Sequence, residues 1–194
     1  HKVRILDNLS PQIHGEPAHF EPPAGAEFQR GDVTVRVDLE RALAGMDTVI
    51  HLAAETGTGQ SMYEIDRYYR VNVQGTAVLF DILANSNHKI GNIILASSRS
   101  VYGEGAYLCG QCDPSGKRCF SSARSLKQMA AHDWTPKCPI CAGDLEATAT
   151  QEGDMLSPAS IYAASKLAQE DLVRVATRSL GIRHVILRFQ NVYG

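Results

Sequence analysis

The sequence contains no long apolar run and no block of like charge. Its 194 residues carry 19 Lys and Arg against 21 Asp and Glu, giving a formal net charge of −2. A membrane-spanning helix needs roughly 20 consecutive apolar residues, and binding to nucleic acid usually requires a basic patch. We therefore expect a soluble, cytoplasmic protein whose partner is a small molecule rather than a membrane or a nucleic acid.

The sequence also lacks an initiating methionine and the charged start and apolar segment of a signal peptide. It begins at His1 and stops within the turn-like segment Asn191-Val192-Tyr193-Gly194. From this we expect a piece of a longer chain, with enough residues for one core and too few for two ordinary domains.

Short β-rich runs alternate with helical stretches along the chain. The predicted strands are Val3–Leu6, Thr48–Ala53, Asn92–Ser97 and His184–Phe189. The predicted helices are a short one capped by Asp38 and ended by Gly45, a long one over Tyr63–Asn85, and one over Ile161–Leu180. Segment 11–26 is predicted to be a surface loop. This alternation predicts βαβ units, and therefore an α/β fold with a doubly wound parallel sheet.

Residues 104–155 interrupt this alternation and indicate an insertion. They contain all five cysteines, four of which form two CxxC pairs, Cys109 with Cys112 and Cys138 with Cys141. Two such pairs can present four thiolates to a tetrahedral zinc ion, so we expect a structural zinc site. A mobile loop with free thiols and a catalytic metal are the alternatives, and Cys119 has no predicted role.

The segment Tyr162-Ala163-Ala164-Ser165-Lys166 places a phenol and an ammonium one helical turn apart on the same face. A nearby cation favours the phenolate, so Tyr162 could act as a base near neutral pH. The pair is weak as a signal by itself, because Tyr and Lys occur four residues apart by chance on many solvated helices.

Two serines, Ser97 and Ser98, follow the apolar run Ile93–Ala96 at the carboxyl end of a predicted strand. Ligands of open α/β sheets bind at that edge, where a serine can hydrogen-bond to a sugar oxygen. The alternative is that both serines only satisfy backbone groups at the strand end.

An acidic residue, Asp7, ends the first apolar strand and is followed by Asn8. A carboxylate in that position can accept hydrogen bonds from the adenosine ribose and would repel a 2′-phosphate, which favours NAD over NADP. The alternative is that Asp7 only caps the following turn.

Several motifs together resemble one family. The segments SSRSVYG (residues 97–103) and YAASK (162–166) resemble the Ser-Tyr-Lys triad of the extended short-chain dehydrogenases/reductases, the NAD-dependent epimerases and dehydratases. HLAA (51–54), YRVNVQGT (69–76) and RFQN (188–191) are similar to further motifs of that family. Ordered motifs at compatible spacing are far more specific than any one of them.

The resemblance implies a Rossmann-like sheet, NAD as cofactor, a nucleotide-sugar substrate and a homodimer. It implies that the catalytic residues are Ser98, Tyr162 and Lys166. The NAD-binding residues that it implies are Asp7, Asn8, Asp32, Val33, Leu52, Ala53, Ala54, Asn72, Ser97, Tyr162, Lys166 and Phe189. The substrate-binding residues would be Ser98, Arg99 and Asn191.

The chain departs from the family pattern at its start. The family's first strand and glycine-rich phosphate loop would precede the strand that ends at Asp7, so we expect the chain to lack both. The two strands that flank this central strand would then have no neighbour between them. We expect an NAD-binding portion over 1–103, the cysteine-rich insert over 104–155, and the catalytic helix and last strand over 156–194. By themselves these residues would neither fold stably nor bind NAD normally.

The reaction implied by the resemblance is oxidation at a sugar C4 by NAD, followed by hydride return to the other face. The dehydratases of the family carry an Asp-Glu pair where this sequence has Arg99-Ser100, which disfavours dehydration. Segments 7–15 and 101–107 resemble the bacterial dTDP-L-rhamnose 4-epimerases. The alternatives are a UDP-glucose 4-epimerase, another nucleotide-sugar dehydrogenase or reductase, and a non-catalytic NAD-binding scaffold.

Overall fold

The computed structural model describes residues 1–112 and 115–192. The chain divides into two units, one formed by His1–Ser98 with the residues from Ser160 onward, and the other by Arg99–Ala159. The insertion expected over 104–155 lies within the second unit. Tyr193 and Gly194, which belong to the turn-like terminal segment of the sequence, lie outside the described residues.

The regular elements of the described residues are as follows. The strands are β1 (Val3–Asp7), β2 (Ala26–Arg30), β3 (Thr48–His51), β4 (Asn92–Ser98), β5 (Ala106–Leu108), β6 (Arg118–Phe120), β7 (Glu146–Ala147) and β8 (Arg183–Phe189). The helices are α1 (Pro11–His14), α2 (Arg36–Leu43), α3 (Thr58–Ser61), α4 (Ile65–Tyr68), α5 (Gly75–Asn85), α6 (Leu126–Ala130) and α7 (Ile161–Leu180), with a π-helical segment at Tyr69–Gln74 and a 3-10 turn at Arg99–Tyr102.

Two parallel sheets organise the first unit. One pairs β1 with β2, and the other has the strand order β3-β4-β8. Parallel strands alternating with helices confirm the predicted α/β class. The strands that were expected to flank a central strand, β1 and β3, lie in separate sheets.

The predicted strands are confirmed with small shifts at their ends. β3 ends at His51 rather than at Ala53, and β8 begins at Arg183. β2 was not predicted, because its sequence AEFQR has a single large apolar residue and becomes a strand through pairing with β1. The predicted loop over 11–26 was wrong at its start, where α1 forms one short turn.

The helices follow the sequence with two corrections. The cap of α2 is Val35, whereas Asp38 lies inside the first turn and accepts a hydrogen bond from the backbone of Asp32 over 3.0 Å. The helix expected over Tyr63–Asn85 begins at Ile65 and is interrupted by the π-helical segment.

The α7 helix has the predicted bounds. The Ser160 hydroxyl accepts a hydrogen bond from the Ala163 backbone over 3.1 Å, which caps the amino end. Gly181 has φ 68° and ends the helix in the left-handed conformation that glycine tolerates best.

The core of the first unit lies between β4 and the helices α5 and α7. Its most buried members include Leu79, Leu83, Ile93, Leu95 and Val173. Burial of each such side chain contributes roughly 1.5–3 kcal/mol relative to exposure. Burial alternates along β4, so Ser97 lies on the same face as Ile93 and Leu95 while Ser98 is half-buried on the other.

The second unit has a small antiparallel sheet with the order β6-β5-β7. Its cysteine-containing core consists of Cys109, Cys138 and Leu145, against which Tyr107 and Cys119 pack. Among the described helices, none combines the length and the apolar character that crossing a membrane requires.

Candidate functional site

Polar side chains cluster at the carboxyl ends of β1 and β2. Asp7 Oδ1 accepts a hydrogen bond from the Leu9 backbone over 2.7 Å, so Asp7 does cap the following turn. Its side chain nevertheless remains 42% exposed. Asn8 Nδ2 donates to Asp32 Oδ2 over 3.1 Å, which joins two of the polar residues expected to bind the cofactor.

The Asp32 carboxylate is held as an anion. Its Oδ1 accepts hydrogen bonds of 2.8 Å from both the backbone and the hydroxyl of Thr34. Burial raises the pKa of Asp32, but the hydrogen bonds from Thr34 and Asn8 and the charge of Arg70 outweigh it and leave the pKa below its usual value.

The first residue of α5, Gly75, lets this helix approach the neighbouring Val33 closely. A Cβ at position 75 would lie 2.8 Å from Val33 Cγ2, closer than carbon atoms can approach. Val33 is the residue expected to contact adenine, so Gly75 fixes the position of that part of the site.

The end of β3 is held by a buried polar network. His51 Nε2 lies 2.9 Å from Thr76 Oγ1, which also accepts a hydrogen bond of 2.8 Å from Gln169 Nε2. Burial, helped by the charge of Lys166, lowers the pKa of His51 to about 4. His51 is therefore neutral at pH 7 and acts as a core residue.

Asn72 connects three parts of the first unit. Its Oδ1 accepts a hydrogen bond from the Glu55 backbone over 2.8 Å, and its Nδ2 donates to Glu55 O over 3.1 Å and to Ser165 Oγ over 2.9 Å. Asn72 is fully buried and positions the segment after β3 and the start of α7, and its expected contact with the cofactor stays a prediction.

The expected catalytic pair lies on the first turns of α7. Lys166 is 3% exposed, and its Nζ donates a hydrogen bond of 2.9 Å to the carbonyl oxygen of Ala96 in β4. Burial lowers the pKa of Lys166 to about 8, which leaves the ammonium mostly protonated at pH 7. Tyr162, one turn earlier, is half-buried.

An aromatic neighbour of Tyr162 was missed in the sequence. The rings of Tyr68 and Tyr162 meet edge to face with their centroids 6.4 Å apart. Tyr68 is fully buried, and its hydroxyl donates to the carbonyl oxygens of Thr56 and Gly57, the latter over 2.9 Å. The sequence showed an adjacent pair of tyrosines but not which ring faces α7.

Ser97 and Ser98 have different surroundings. Ser97 is 4% exposed and donates a hydrogen bond of 2.6 Å to Glu170 Oε1, which gives it a structural partner, and its expected contact with the cofactor stays a prediction. Ser98 lies at the end of β4, in register with Phe189 of β8. The serine expected to bind substrate and the aromatic residue expected to reach nicotinamide therefore end neighbouring strands.

A buried ion cluster centred on Glu170 was also missed. Glu170 is fully buried, and Arg188 Nε and Nη2 contact its two carboxylate oxygens at 2.9 and 2.8 Å. Burial raises the pKa of Glu170, but Arg188, Ser97 and Arg174 outweigh that effect and leave the pKa below its usual value. An i, i+4 spacing of Glu170 and Arg174 was the only sequence signal.

The remaining predicted residues lie at exposed or separate positions. Leu52 is 64% and Phe189 42% exposed, and Ala53 and Ala54 follow the end of β3. Asn191 is exposed after β8, while Arg99 belongs to the second unit.

The chemistry of these residues fits NAD. Asp7 and Asp32 place two carboxylates, which can accept hydrogen bonds from hydroxyls, at the carboxyl edge of one parallel sheet. At the other sheet, Leu52 after β3 and Phe189 in β8 are exposed, and the buried Lys166 of α7 donates to Ala96 of β4. Acceptors for hydroxyls at one sheet and an apolar surface with a cation at the other are compatible with the two halves of a dinucleotide.

In the second unit, the four cysteines of the CxxC pairs come together. The Sγ atoms of Cys109, Cys112, Cys138 and Cys141 all lie within 4.8 Å of one another. Cys119 is half-buried on β6 and is not one of the four.

Comparison with known proteins assigns the family. A model of the NAD dependent epimerase/dehydratase family matches residues 1–124 and 136–194. The chain belongs to this family. The resemblance read from the triad motifs is thereby confirmed.

Two curated members and one solved structure show how far the similarity extends. The chain is 37% identical over 197 residues to dTDP-L-rhamnose 4-epimerase of Burkholderia thailandensis, covering 98% of this chain and 51% of that protein. It is 26% identical over 196 residues to dTDP-glucose 4,6-dehydratase of Streptomyces niveus, covering 100% of this chain and 45% of that protein. UDP-N-acetylglucosamine 4-epimerase of Methanobrevibacter ruminantium superposes with a TM-score of 0.68 at 27% identity, over 100% of this chain and 48% of that one. The chain thus spans about half the length of these relatives.

Proposed function

We propose that the protein to which this chain belongs is an NAD-dependent nucleotide-sugar 4-epimerase. The observation that carries the proposal is the position of Lys166, one turn after Tyr162 on α7 and hydrogen-bonded to Ala96 just before Ser98. This contact joins α7, which carries the proposed base Tyr162, to β4, which ends in the proposed substrate-binding Ser98.

Each of the three residues has a distinct task in the proposed reaction. The Tyr162 phenolate takes the proton from the C4 hydroxyl of the sugar and returns it after the second hydride transfer. Ser98 donates a hydrogen bond to the reacting oxygen. The buried Lys166 ammonium stabilises the phenolate and binds the hydroxyls of the nicotinamide ribose.

NAD, when bound, would supply the hydride acceptor and donor at C4 of the sugar. Asp7, Asn8 and Asp32 would hold its adenosine portion, and the negative charge of Asp7 and Asp32 disfavours the additional phosphate of NADP. Because the cofactor is restored in each cycle, no external oxidant or reductant is consumed.

We propose dTDP-L-rhamnose as the substrate. The 37% identity to dTDP-L-rhamnose 4-epimerase, over almost the whole chain, supports this choice. Dehydration is disfavoured because Arg99 and Ser100 stand where an acid and a base would be required, and neither is a carboxylate.

The test is to incubate the full-length protein with dTDP-L-rhamnose and, separately, with UDP-glucose, and to follow the C4 proton by NMR without added reductant. Inversion of dTDP-L-rhamnose is the expected result. If only UDP-glucose is inverted, it takes the place of dTDP-L-rhamnose as the proposed substrate. Accumulation of NADH without inversion would indicate a dehydrogenase.

A pair of variants distinguishes an enzyme from a non-catalytic scaffold. Tyr162→Phe removes the phenol and is expected to slow inversion by roughly 10²–10⁴-fold while the bound NAD stays unchanged. The control is Tyr63→Phe, the same change at a tyrosine that is 77% exposed. Equal activity of the two variants would contradict the assigned role of Tyr162.

A further inference from the structure

The cysteine cluster of the second unit has no part in the proposed reaction. Its sulfurs are in contact both within a CxxC pair and between the pairs. Cys112 Sγ lies 3.4 Å from Cys109 Sγ of its own pair and 3.5 Å from Cys138 Sγ of the other pair. Cys109 Sγ in turn lies 3.5 Å from Cys141 Sγ. Each pair therefore contacts the other, and the four sulfurs form one group rather than two separate pairs.

These distances match a metal site better than disulfides. A zinc ion bound at about 2.3 Å by four tetrahedral thiolates separates the sulfurs by about 3.8 Å. A disulfide would bring two sulfurs to about 2.05 Å and leave the other pair apart. The four sulfur atoms therefore surround a space of the size that one divalent cation requires.

The backbone has the same local geometry at the first cysteine of both CxxC pairs. The Cys109 sulfur accepts hydrogen bonds from the backbone N–H groups of Gln111 and Cys112, and the Cys138 sulfur accepts them from Ile140 and Cys141. The two pairs therefore form equivalent turns that hold their first sulfurs in place.

The second CxxC pair ends in a tight turn. Cys138 exchanges backbone hydrogen bonds with the residues that follow the pair, since its N–H donates to Gly143 O over 2.8 Å and its carbonyl accepts from Ala142 over 2.9 Å. Ala142 takes a left-handed φ of 58° to close this turn. Position 143 lies beside the first pair, since a Cβ there would lie 2.2 Å from Oε1 at the flexible end of the Gln111 side chain.

The cluster has a small apolar surround. Its buried residues are Cys109, Cys138 and Leu145, with partly buried Tyr107 and Cys119 against them. Burial of a single large aliphatic side chain stabilises far less than a structural zinc site does in a small zinc-dependent domain.

We propose that Cys109, Cys112, Cys138 and Cys141 bind one Zn²⁺ ion as a structural site within residues 99–159. Four thiolates and one dication leave a net charge of −2, and binding releases the thiol protons to solvent. The four sulfurs complete the coordination shell, so no position remains for water or substrate and the metal takes no part in catalysis. Cys119 is not a ligand.

The first measurement is the zinc content of the full-length protein, purified without chelators and without added metal. About one zinc ion per chain is expected by elemental analysis. Cobalt(II) added to the reduced, metal-free protein should give thiolate-to-cobalt charge-transfer bands and the visible absorption of a tetrahedral site. Both readouts are independent of epimerase activity.

Matched variants then identify the ligands. Cys112→Ser and Cys141→Ser change the two exposed members of the cluster and should lower the zinc content below about a tenth of an ion per chain. Cys119→Ser, the same change at the cysteine outside the cluster, should retain the full content.

Three results would overturn the proposal, and the first two need no variant to fold. One is wild-type protein without zinc that also fails to take up zinc or cobalt after reduction. Another is a mass of the unreduced protein that shows the four cysteines joined in disulfides. The third is loss of the metal in Cys119→Ser to the same extent as in Cys112→Ser.

Discussion

Lys166 donates a hydrogen bond from Nζ to the carbonyl oxygen of Ala96 over 2.9 Å, although 70 positions separate the two residues. The contact ties the start of α7 to β4 and buries the ammonium. The pKa of Lys166 falls to about 8 as a result of that burial. In an unfolded chain the pKa of a lysine is about 10.4.

This difference predicts a pH dependence of stability. Between about pH 8 and about pH 10, the unfolded chain binds a proton that folded Lys166 does not, so the free energy of unfolding rises with pH. Lys166→Met, which keeps the stem without the charge, removes this contribution. Urea denaturation of both proteins across this range should show the wild type gaining stability relative to the variant, by up to a few kcal/mol. If the difference in unfolding free energy between the wild type and Lys166→Met stays constant across this pH range, the prediction is wrong.

Replacing Glu170 by Gln is expected to destabilise the first unit. The change keeps the size of the side chain but leaves Arg188 and Arg174 without their buried carboxylate. Loss of a partner from a buried ion pair costs about 3–5 kcal/mol, and we expect roughly 2–4 kcal/mol because Arg174 is partly exposed. Asp171→Asn is the matched control, since Asp171 also contacts Arg174 but is 67% exposed, and it should change the stability by less than about 1 kcal/mol. If chemical denaturation gives the same loss of unfolding free energy for both variants, burial of Glu170 does not increase its contribution to stability.

Adding a methyl group at Gly75 tests the close approach of α5 to Val33. Gly75→Ala places a Cβ 2.8 Å from Val33 Cγ2 and should lower the free energy of unfolding by roughly 1–3 kcal/mol. Combining it with Val33→Ala should recover part of this loss, because the second change removes the atom that clashes. Gly59→Ala is the control, since a Cβ there meets nothing within 4 Å and should be neutral or slightly stabilising. If the changes in the free energy of unfolding of the two single variants simply add in the double variant, the contact between Gly75 and Val33 is contradicted.

The buried His51 is expected to make the protein sensitive to acid. Burial lowers its pKa to about 4, whereas the unfolded chain binds the proton near pH ~6.5. Stability should therefore be lost as the pH falls from about 6.5 to about 4. His51→Gln should reduce this loss, and His19→Gln, at an exposed histidine, should leave it as in the wild type. Melting temperatures measured at several pH values in this window provide the comparison.

Sequence signals predicted those features of the structure that depend on residues close together in the chain. The bounds of α7 followed from Pro158 before it and Gly181 after it, and the structure adds only the hydroxyl cap of Ser160. The grouping of Cys109, Cys112, Cys138 and Cys141 followed from their spacing alone. β4 was recognised by its continuous apolar run, which is typical of a strand in the middle of a parallel sheet.

Features that depend on distant partners were missed. β2 exists because β1 lies beside it, and no pattern within AEFQR reveals that pairing. The hydroxyl of Ser97 donates to Glu170, which lies 73 positions away, and no local pattern reveals that bond. The π-helical segment at Tyr69–Gln74 contains the buried Asn72, whose amide reaches both Glu55 and Ser165. Such contacts require knowledge of the three-dimensional neighbours.

The bonds that join β4 to α7, from Lys166 to Ala96 and from Ser97 to Glu170, are made entirely within the first unit. The chain between them, residues 99–159, is therefore free to change in length and content during evolution as long as its two ends stay attached. A segment of different length or content can therefore connect β4 to α7 without changing the two bonds that hold these elements together.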